Sequence, residues 1–276
     1  MANLIKPEIY SGVVTEKFKG KQILSRFADD LGVLSGNVGD TVSFPMFNLI
    51  GSAKELTKGQ GIDEEELSQS ESKATIKQVA APGVLIYDID DLTALGNFVE
   101  NGAMQQGTVL ARKLDSDLVA ECLKSKLKVK TETKNSISSV ELNKGFSMFG
   151  DEQNVEDMAC ILVHSLVAST FYNMPEFTKA DLTFNGVNGN GIVSGNCIGH
   201  FRGVPVFMSD KDTFVDGECV TLIVKKHALA KMKKRGINIE DERQAKYKRT
   251  ALYADYIYAV KMTNPEGVVV LRNTIA

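Results

Sequence analysis

An α+β fold is what this sequence predicts, on three observations. One helix-like segment is far longer than any other. Alternating strand residues frame a stretch near the N-terminus that has little apolar pattern. The second half carries continuous apolar runs of the kind buried strands have. The long segment, residues 97–128, organises the rest. Asn97 is placed to cap it, and Glu100 three residues on can reach back to the cap amide, as in a capping box. Lys124, Lys126 and Lys128 crowd its far end, where the helix dipole favours cations, and the polar run from Thr131 to Ser136 ends it. At about 1.5 Å per residue such a helix is roughly 45 Å long. Val99, Ala103, Leu110, Leu114 and Leu118 fall on one arc, and Phe98, Val109 and Leu127 on a second, so the helix is expected to be a spine covered on more than one side. Gly102 and Gly107 weaken it by up to about 1 kcal/mol each relative to Ala unless close packing needs them. Two shorter helices broken near Gly107 are the alternative.

In chain order, residues 1–10 read as a polar arm and residues 17–31 as a short helix through Phe18, Ile23, Leu24, Phe27 and Leu31. Gly32, Gly36 and Gly39 break that pattern. Val42, Phe44 and Met46 then alternate with Thr41, Ser43 and Pro45 as in a strand, Pro45 favouring an edge or a bend. Residues 51–72 have little sustained apolar pattern but carry Gly59, Gly61 and the acidic run Asp63, Glu64, Glu65, Glu66, before a second alternating stretch at Ala74 and Ile76. Residues 39–79 are therefore read as a long two-stranded excursion with a charged tip, which buries little core alone and calls for a neighbour; a mobile surface loop is the alternative. Val84 to Tyr87 follow as a short strand. Asp88, Asp90 and Asp91 lead into the spine as caps and first-turn acids, without the glycine or spacing of an EF-hand.

Beyond the spine, residues 140–149 read as a helix closed by Gly150, residues 158–163 as a buried strand and residues 166–172 as a helix capped by Ser165. Gly186, Gly189, Gly191 and Gly195 match neither a phosphate loop nor the dinucleotide fingerprint, and hairpin turns account for them. Strands at residues 204–208 and 219–224, with a helix at 228–234, make residues 151–236 an α/β block of its own. Residues 250–262, a turn at Asn264, Pro265, Glu266 and Gly267, and residues 268–271 returning beside them form the expected terminal hairpin.

Composition narrows the function. With 43% hydrophobic and 24% charged residues over 276 positions, disorder is not the theme, and the length suits one large domain or two small ones. A net charge of −3 argues against a protein built to coat nucleic acid. Lys225, Lys226, Lys231, Lys233, Lys234 and Arg235 are read as a solvated face. Cys122, Cys160, Cys197 and Cys219 are scattered, without a CxxC pair or a histidine at zinc spacing, as expected of free thiols made in a reducing cytoplasm. The first residues lack an apolar signal region and no run of about 18 apolar residues occurs, so neither secretion nor a membrane partner is expected. His164, His200 and His227 lie far apart. His164 precedes Ser165, but neighbours at a strand end usually point away from one another, and no Gly-x-Ser-x-Gly elbow exists. No catalytic, cofactor-binding or metal-ligating residue is identified, and no cofactor is expected. A chain with an arm, a long excursion and a two-sided spine spends its sequence on contacts with copies of itself.

Six phrases carry a resemblance. They are Lys-Pro-Glu-Ile-Tyr at Lys6 to Tyr10, Glu-Lys-Phe-Lys-Gly-Lys at Glu16 to Lys21, Gly-Asp-Thr-Val-Ser-Phe-Pro at Gly39 to Pro45, Ala-Thr-Ile-Lys-Gln at Ala74 to Gln78, Asp-Leu-Thr-Ala-Leu-Gly-Asn at Asp91 to Asn97 and Phe-Gly-Asp-Glu-Gln at Phe149 to Gln153. In this order they resemble the major capsid proteins of tailed bacteriophages, with the Hong Kong 97-type fold. The resemblance implies an N-terminal arm at residues 1–38, an extended loop at 39–79, a peripheral domain with the spine at 80–150, an axial domain at 151–236 and a return to the peripheral domain at 237–276. It implies a non-enzymatic shell subunit found in the virion and made in the host bacterial cytoplasm. Homo-hexamers and homo-pentamers would close around double-stranded DNA, with weak non-specific DNA contact and with separate scaffolding, portal and decoration proteins as partners. Some members crosslink through a lysine, an asparagine and a glutamate. Lys54 and Lys58 lie in the corresponding loop, but no motif marks the other two residues and the reaction is not carried over. An encapsulin-like nanocompartment on the same fold is one alternative, and a cytoplasmic enzyme with its site in residues 151–236 is another.

Overall fold

The computed structural model describes residues 7–47, 69–89, 98–178, 195–210 and 212–275. The chain opens with α1 (Pro7–Lys21) and β1 (Asp29–Val33), then forms a ribbon of β2 (Thr41–Phe47) and β3 (Gln69–Thr75), followed by β4 (Lys77–Ala80) and β5 (Val84–Tyr87). The spine is α2 (Phe98–Cys122), after which come β6 (Leu127–Lys130), α3 (Ser139–Ser147), β7 (Met158–Val163), α4 (Ser165–Phe171) and α5 (Pro175–Thr178). β8 (Cys197–Phe201), β9 (Val204–Met208), β10 (Phe214–Val215), β11 (Glu218–Cys219) and β12 (Thr221–Lys225) lead to the long strands β13 (Leu229–Gln244) and β14 (Arg249–Met262), and β15 (Val268–Arg272) closes the chain.

Two sheets share the spine. One runs β1-β13-β14-β4 with β5 also on β14; the other runs β6-β15-β12-β7-β9-β8, with both parallel and antiparallel pairs. Strand alternation assigns the faces. In the six-stranded sheet Cys160, Leu162, Leu222, Val224, Val268 and Val270 join the core of the spine. Their neighbours Ile161, Val163, Ile223, Val269 and Leu271 face a second core supplied by α3, α4 and α5. In β14, Ala254, Tyr256 and Tyr258 face the spine core, while Ile257 and Ala259 lie beneath the root of the ribbon with Phe44, Ala74 and Ile76.

The spine is shorter than expected. It ends at Cys122, because Ser125 donates to the carbonyl of Val268 (2.6 Å) and accepts from the amide of Leu127 (3.1 Å), turning the chain into β6 beside β15. Lys128 and Lys130 therefore belong to a sheet edge, where charge discourages further strand pairing, and Lys124 and Lys126 to the turn and bend that lead into it, not to a helix end. Asn97 lies outside the described residues. Ala103, Leu110, Leu114 and Leu118 are buried as the first arc required, but Phe98 and Val109 of the second arc stay 45% and 39% exposed. The second covering is instead α1, which crosses so closely at Gly107 that a Cβ there would sit 2.6 Å from the Val14 carbonyl oxygen. That contact keeps the helix whole at Gly107. Gly107→Ala is expected to lower stability by about 1–3 kcal/mol, because backbone has to move. Gly12→Ala, with nothing within 4 Å, is expected to be neutral or to stabilise by up to about 1 kcal/mol. Denaturant midpoints compare the two.

The N-terminal assignment is corrected as well. Helix α1 occupies much of the expected arm, burying Tyr10, Val14 and Phe18 at i, i+4, i+8. The helix expected over residues 17–31 stops at Lys21, where tertiary contacts override local pattern: the Asp115 carboxylate accepts from the amides of Ile23 and Ser25 (2.8 Å each), and β1 pairs parallel to β13. The ribbon forms as read, Thr41 opposite Thr75 through to Phe47 opposite Gln69, while its tip, with Lys54, Lys58 and Asp63 to Glu66, lies outside the described residues. The stretch 228–234 is not a helix, since β13 begins at Leu229. No terminal hairpin forms, since β14 pairs with β13, β4 and β5 whereas β15 pairs with β12 and β6; the turn at Pro265–Gly267 hands the chain from one sheet to the other. Gly236 falls inside β13, and β6 and β15 complete the sheet built mainly from residues 151–236. Gly186, Gly189 and Gly191 lie outside the described residues.

Candidate functional site

The groups that suggest chemistry are committed to structure. His164, not Ser165, caps α4: its Nδ1 accepts from the Leu166 amide (3.1 Å). Its Nε2 stands 3.9 Å from Asp210, whose carboxylate takes the Ser165 amide (2.8 Å), so both groups beside Ser165 are engaged with the backbone at the start of α4. Among the described residues no three His, Cys, Asp or Glu side chains converge as metal ligands. Asp88 is gripped by both terminal nitrogens of Arg243 (2.6 Å each), which holds its carboxyl below the usual range; Asp90 and Asp91 lie outside the described residues. The basic run is not simply solvated. Lys225 meets Glu152 (3.0 Å), Lys231 the Ser25 carbonyl (2.6 Å), Lys233 Asp30 (3.2 Å) and Arg235 Asp255 (2.5 Å). All four cysteines are free thiols, and burial pushes Cys160 up to about 12, far from a reactive thiolate.

What the structure builds with care is the attachment of its projecting parts. Asp117, 6% exposed, accepts from Tyr258 (2.7 Å) and Lys113 (3.1 Å) and lies 3.4 Å from Lys77 at the root of the ribbon. Burial works to raise its pKa, but these three partners together hold it below the usual range, so it stays charged and ties spine, sheet and ribbon root at one point. Asp115 does the same for the turn after α1, though there burial outweighs the two amide bonds and its pKa is raised. Asp115→Ala strands two amides, which typically costs about 1–3 kcal/mol. The expected outcome is faster hydrogen exchange over residues 22–28 with β7 and β12 unchanged. Beside this turn a cleft of about 370 Å³ opens between Lys21, Ile23, Arg112 and Asp115 on one side and Ser165, Asp210 and Asp212 on the other.

Open surface lies on the outer face of the five-stranded sheet. Leu85 stands opposite Ala251 and Tyr87 opposite Arg249, with Tyr253 on the same face of β14, and Leu85, Tyr87 and Tyr253 are all exposed. Arg249 lies over the rings of Tyr87 (5.6 Å) and Tyr247 (4.8 Å) at the end of the long hairpin. Phe98 and Val109 on the spine are exposed as well, among other large apolar side chains scattered over the described surface, of which Val33, Ile89 and Val140 are the most open.

Comparison with known proteins agrees with an architecture of attachments. No family model matches the chain. The major capsid protein of Staphylococcus phage phiMR11 is 27% identical over 278 residues, covering 96% of each chain. The capsid structure of the cyanophage P-SCSP1u superposes with a TM-score of 0.64 at 13% identity, over 92% of this chain and 89% of that one. The chain has the Hong Kong 97-type capsid fold. A virus-like particle from Pyrococcus furiosus shares this capsid fold, with a TM-score of 0.61 at 11% identity over 96% of this chain and 98% of the other. Sequence reasoning found the spine and the ribbon of the capsid fold but missed α1 and the full length of β13. The signal for α1 was present, as Tyr10, Val14 and Phe18 at fourfold spacing.

Proposed function

We propose that this chain is the major capsid protein of a tailed phage, a non-enzymatic subunit that forms hexamers and pentamers closing into an icosahedral shell around double-stranded DNA. The observation that carries this reading is the relationship to a phage major capsid protein along nearly the whole of both chains. A buried ion network at the root of a projecting ribbon supports it. In this reading residues 1–38 are the N-terminal arm, whose α1 and β1 pack on their own subunit, residues 39–79 are the extended loop that reaches toward neighbours, residues 80–150 and 237–276 form the peripheral domain, and residues 151–236 the axial one. Scaffolding, portal and decoration proteins are separate chains, and synthesis takes place in the host cytoplasm.

Electron microscopy of purified, nuclease-treated particles tests the reading. Closed shells protecting DNA support it. The likeness to a virus-like particle gives a second reading, a protein nanocompartment, for which the shells hold enzyme cargo and no DNA. A small monomer or dimer that never assembles contradicts both.

A further inference from the structure

Charge distinguishes the edges of the two large sheets. An edge strand offers unpaired backbone groups to any further strand, and its side chains decide which strand is accepted. β5 and β8 contain no Asp, Glu, Lys or Arg. Lys77 of β4 meets Asp117 (3.4 Å), and in β1 Asp29 meets His227 (2.8 Å) and Asp30 meets Lys233 (3.2 Å). Two edges keep charge that the chain itself does not use, and their signs are opposite. At the β6 edge Lys126, Lys128 and Lys130 recur at every second position, and Lys126 and Lys130 are exposed without an ion pair among the described residues. β13 is covered by β1 only as far as Lys233, and among the described residues its outer half pairs with β14 alone. There Glu240, Asp241 and Glu242 are all exposed, again without an ion pair among the described residues. Glu240 accepts from the side-chain amide of Asn238 (3.0 Å) and Glu242 from the Tyr253 hydroxyl (3.4 Å). Of the opposite charges nearby, Arg235 and Arg243 hold Asp255 and Asp88, and Glu121 holds Lys124 and Lys261. Lys246 and Lys248 are exposed at the hairpin turn past Gln244, and Glu132 and Glu266 are exposed beside the ends of β6 and β15.

We propose that the β6 edge of one copy of this chain docks against the outer half of β13 of a second copy. This rests on the reading of the chain as a shell subunit and names one contact between subunits. Two residues along a strand span about 6.7 Å, so Glu240 and Glu242, which share a face, match the spacing of neighbouring lysines in the β6 row. Like charges directly opposite destabilise a strand pair, which disfavours β6 against β6 and β13 against β13 and leaves the mixed pairing. A contact between two different surfaces of identical chains runs head to tail, and it closes into a ring when the rotation between neighbours divides the circle. Hexamers and pentamers are such rings. Backbone hydrogen bonds supply the attachment, and the charges supply register and choice of partner.

The test is charge reversal on each edge and on both, scored by the subunit concentration at which particles form, by sedimentation and electron microscopy. Lys126→Glu/Lys130→Glu sets acid against acid, and Glu240→Lys/Glu242→Lys sets lysine against lysine. Each is expected to raise the assembly concentration more than about tenfold, the scale of like charges placed together across an interface. The four substitutions combined restore opposite signs and are expected to bring assembly back toward the wild-type concentration. Circular dichroism and melting temperature check folding. If a reversed variant does not fold, Lys126→Gln/Lys130→Gln and Glu240→Gln/Glu242→Gln take its place, and these are expected to make assembly less sensitive to sodium chloride than that of the wild type. Normal assembly by either reversed variant, no rescue in the combined one, or unchanged salt sensitivity in the glutamine variants overturns this contact while wild-type particles uphold the shell reading. A wild-type chain that stays monomeric throughout overturns both.

Discussion

Leu114→Asp is expected to abolish soluble subunit. Leu114 is fully buried in the core where the spine, α1 and both sheets meet, with Phe18, Leu110, Leu118, Leu222 and Tyr258 in the same cluster. A carboxylate there finds no cation, and Asp115 and Asp117, the two acids already beside it, have their partners taken. Burying an unpaired charge costs several kcal/mol, and a native domain has only about 5–15 kcal/mol in total. Soluble yield and melting temperature measure it, and wild-type values for both contradict the assignment of this face. Val109→Asp makes the comparison sharp. Val109 is on the same helix but exposed, so that variant is expected to fold with little change in melting temperature, and any defect it has belongs to assembly.

The contrast between Leu114 and Val109 shows where sequence pattern stops being informative. Periodicity placed Ala103, Leu110, Leu114 and Leu118 on one arc, because a buried stripe leaves a spacing that survives in one dimension. Phe98 and Val109 share a spacing too, but periodicity does not say whether a stripe is covered by its own chain or by another. Elements held by distant partners were the ones misread. Leu127 and Lys128 look like a continuing helix until Val268 and Val269 are alongside, and Ile23 to Leu31 look helical until Asp115 and β13 claim them. The turn at Asn264 to Gly267 was seen, but its consequence was not. A turn residue reports that the chain changes direction, not which sheet receives it. Asp115 and Asp117 carried no signal at all, since a buried aspartate in a helix reads as a surface one until distant partners come into view, Ser25 at 90 residues for Asp115 and Tyr258 at 141 for Asp117.

Replacing residues 54–68 by a short glycine-containing turn is expected to leave folding intact and to stop assembly. The ribbon is rooted well inside the change. Phe44, Ala74 and Ile76 are packed with Leu34, Ala230, Ile257 and Ala259, and Lys77 reaches Asp117, so the contacts that hold β2 and β3 to the sheet all survive. Register survives too, because Phe47 opposite Gln69 is the last pair before the tip and β3 begins at Gln69. Shortening a loop alters closure entropy only slowly, about 0.6 kcal/mol for each halving, which slightly favours the folded chain. The deleted segment holds Asp63, Glu64, Glu65 and Glu66 and few core-forming residues, so little apolar burial is lost with it. Circular dichroism and melting temperature are therefore expected to match the parent. Particle formation is expected to fail, because on the proposed reading the acidic run Asp63 to Glu66 serves contacts with another copy and not the core of its own subunit. Electron microscopy of the variant decides. Normal closed shells would show that the tip is dispensable, and an unfolded variant would show that the tip contributes to the subunit core.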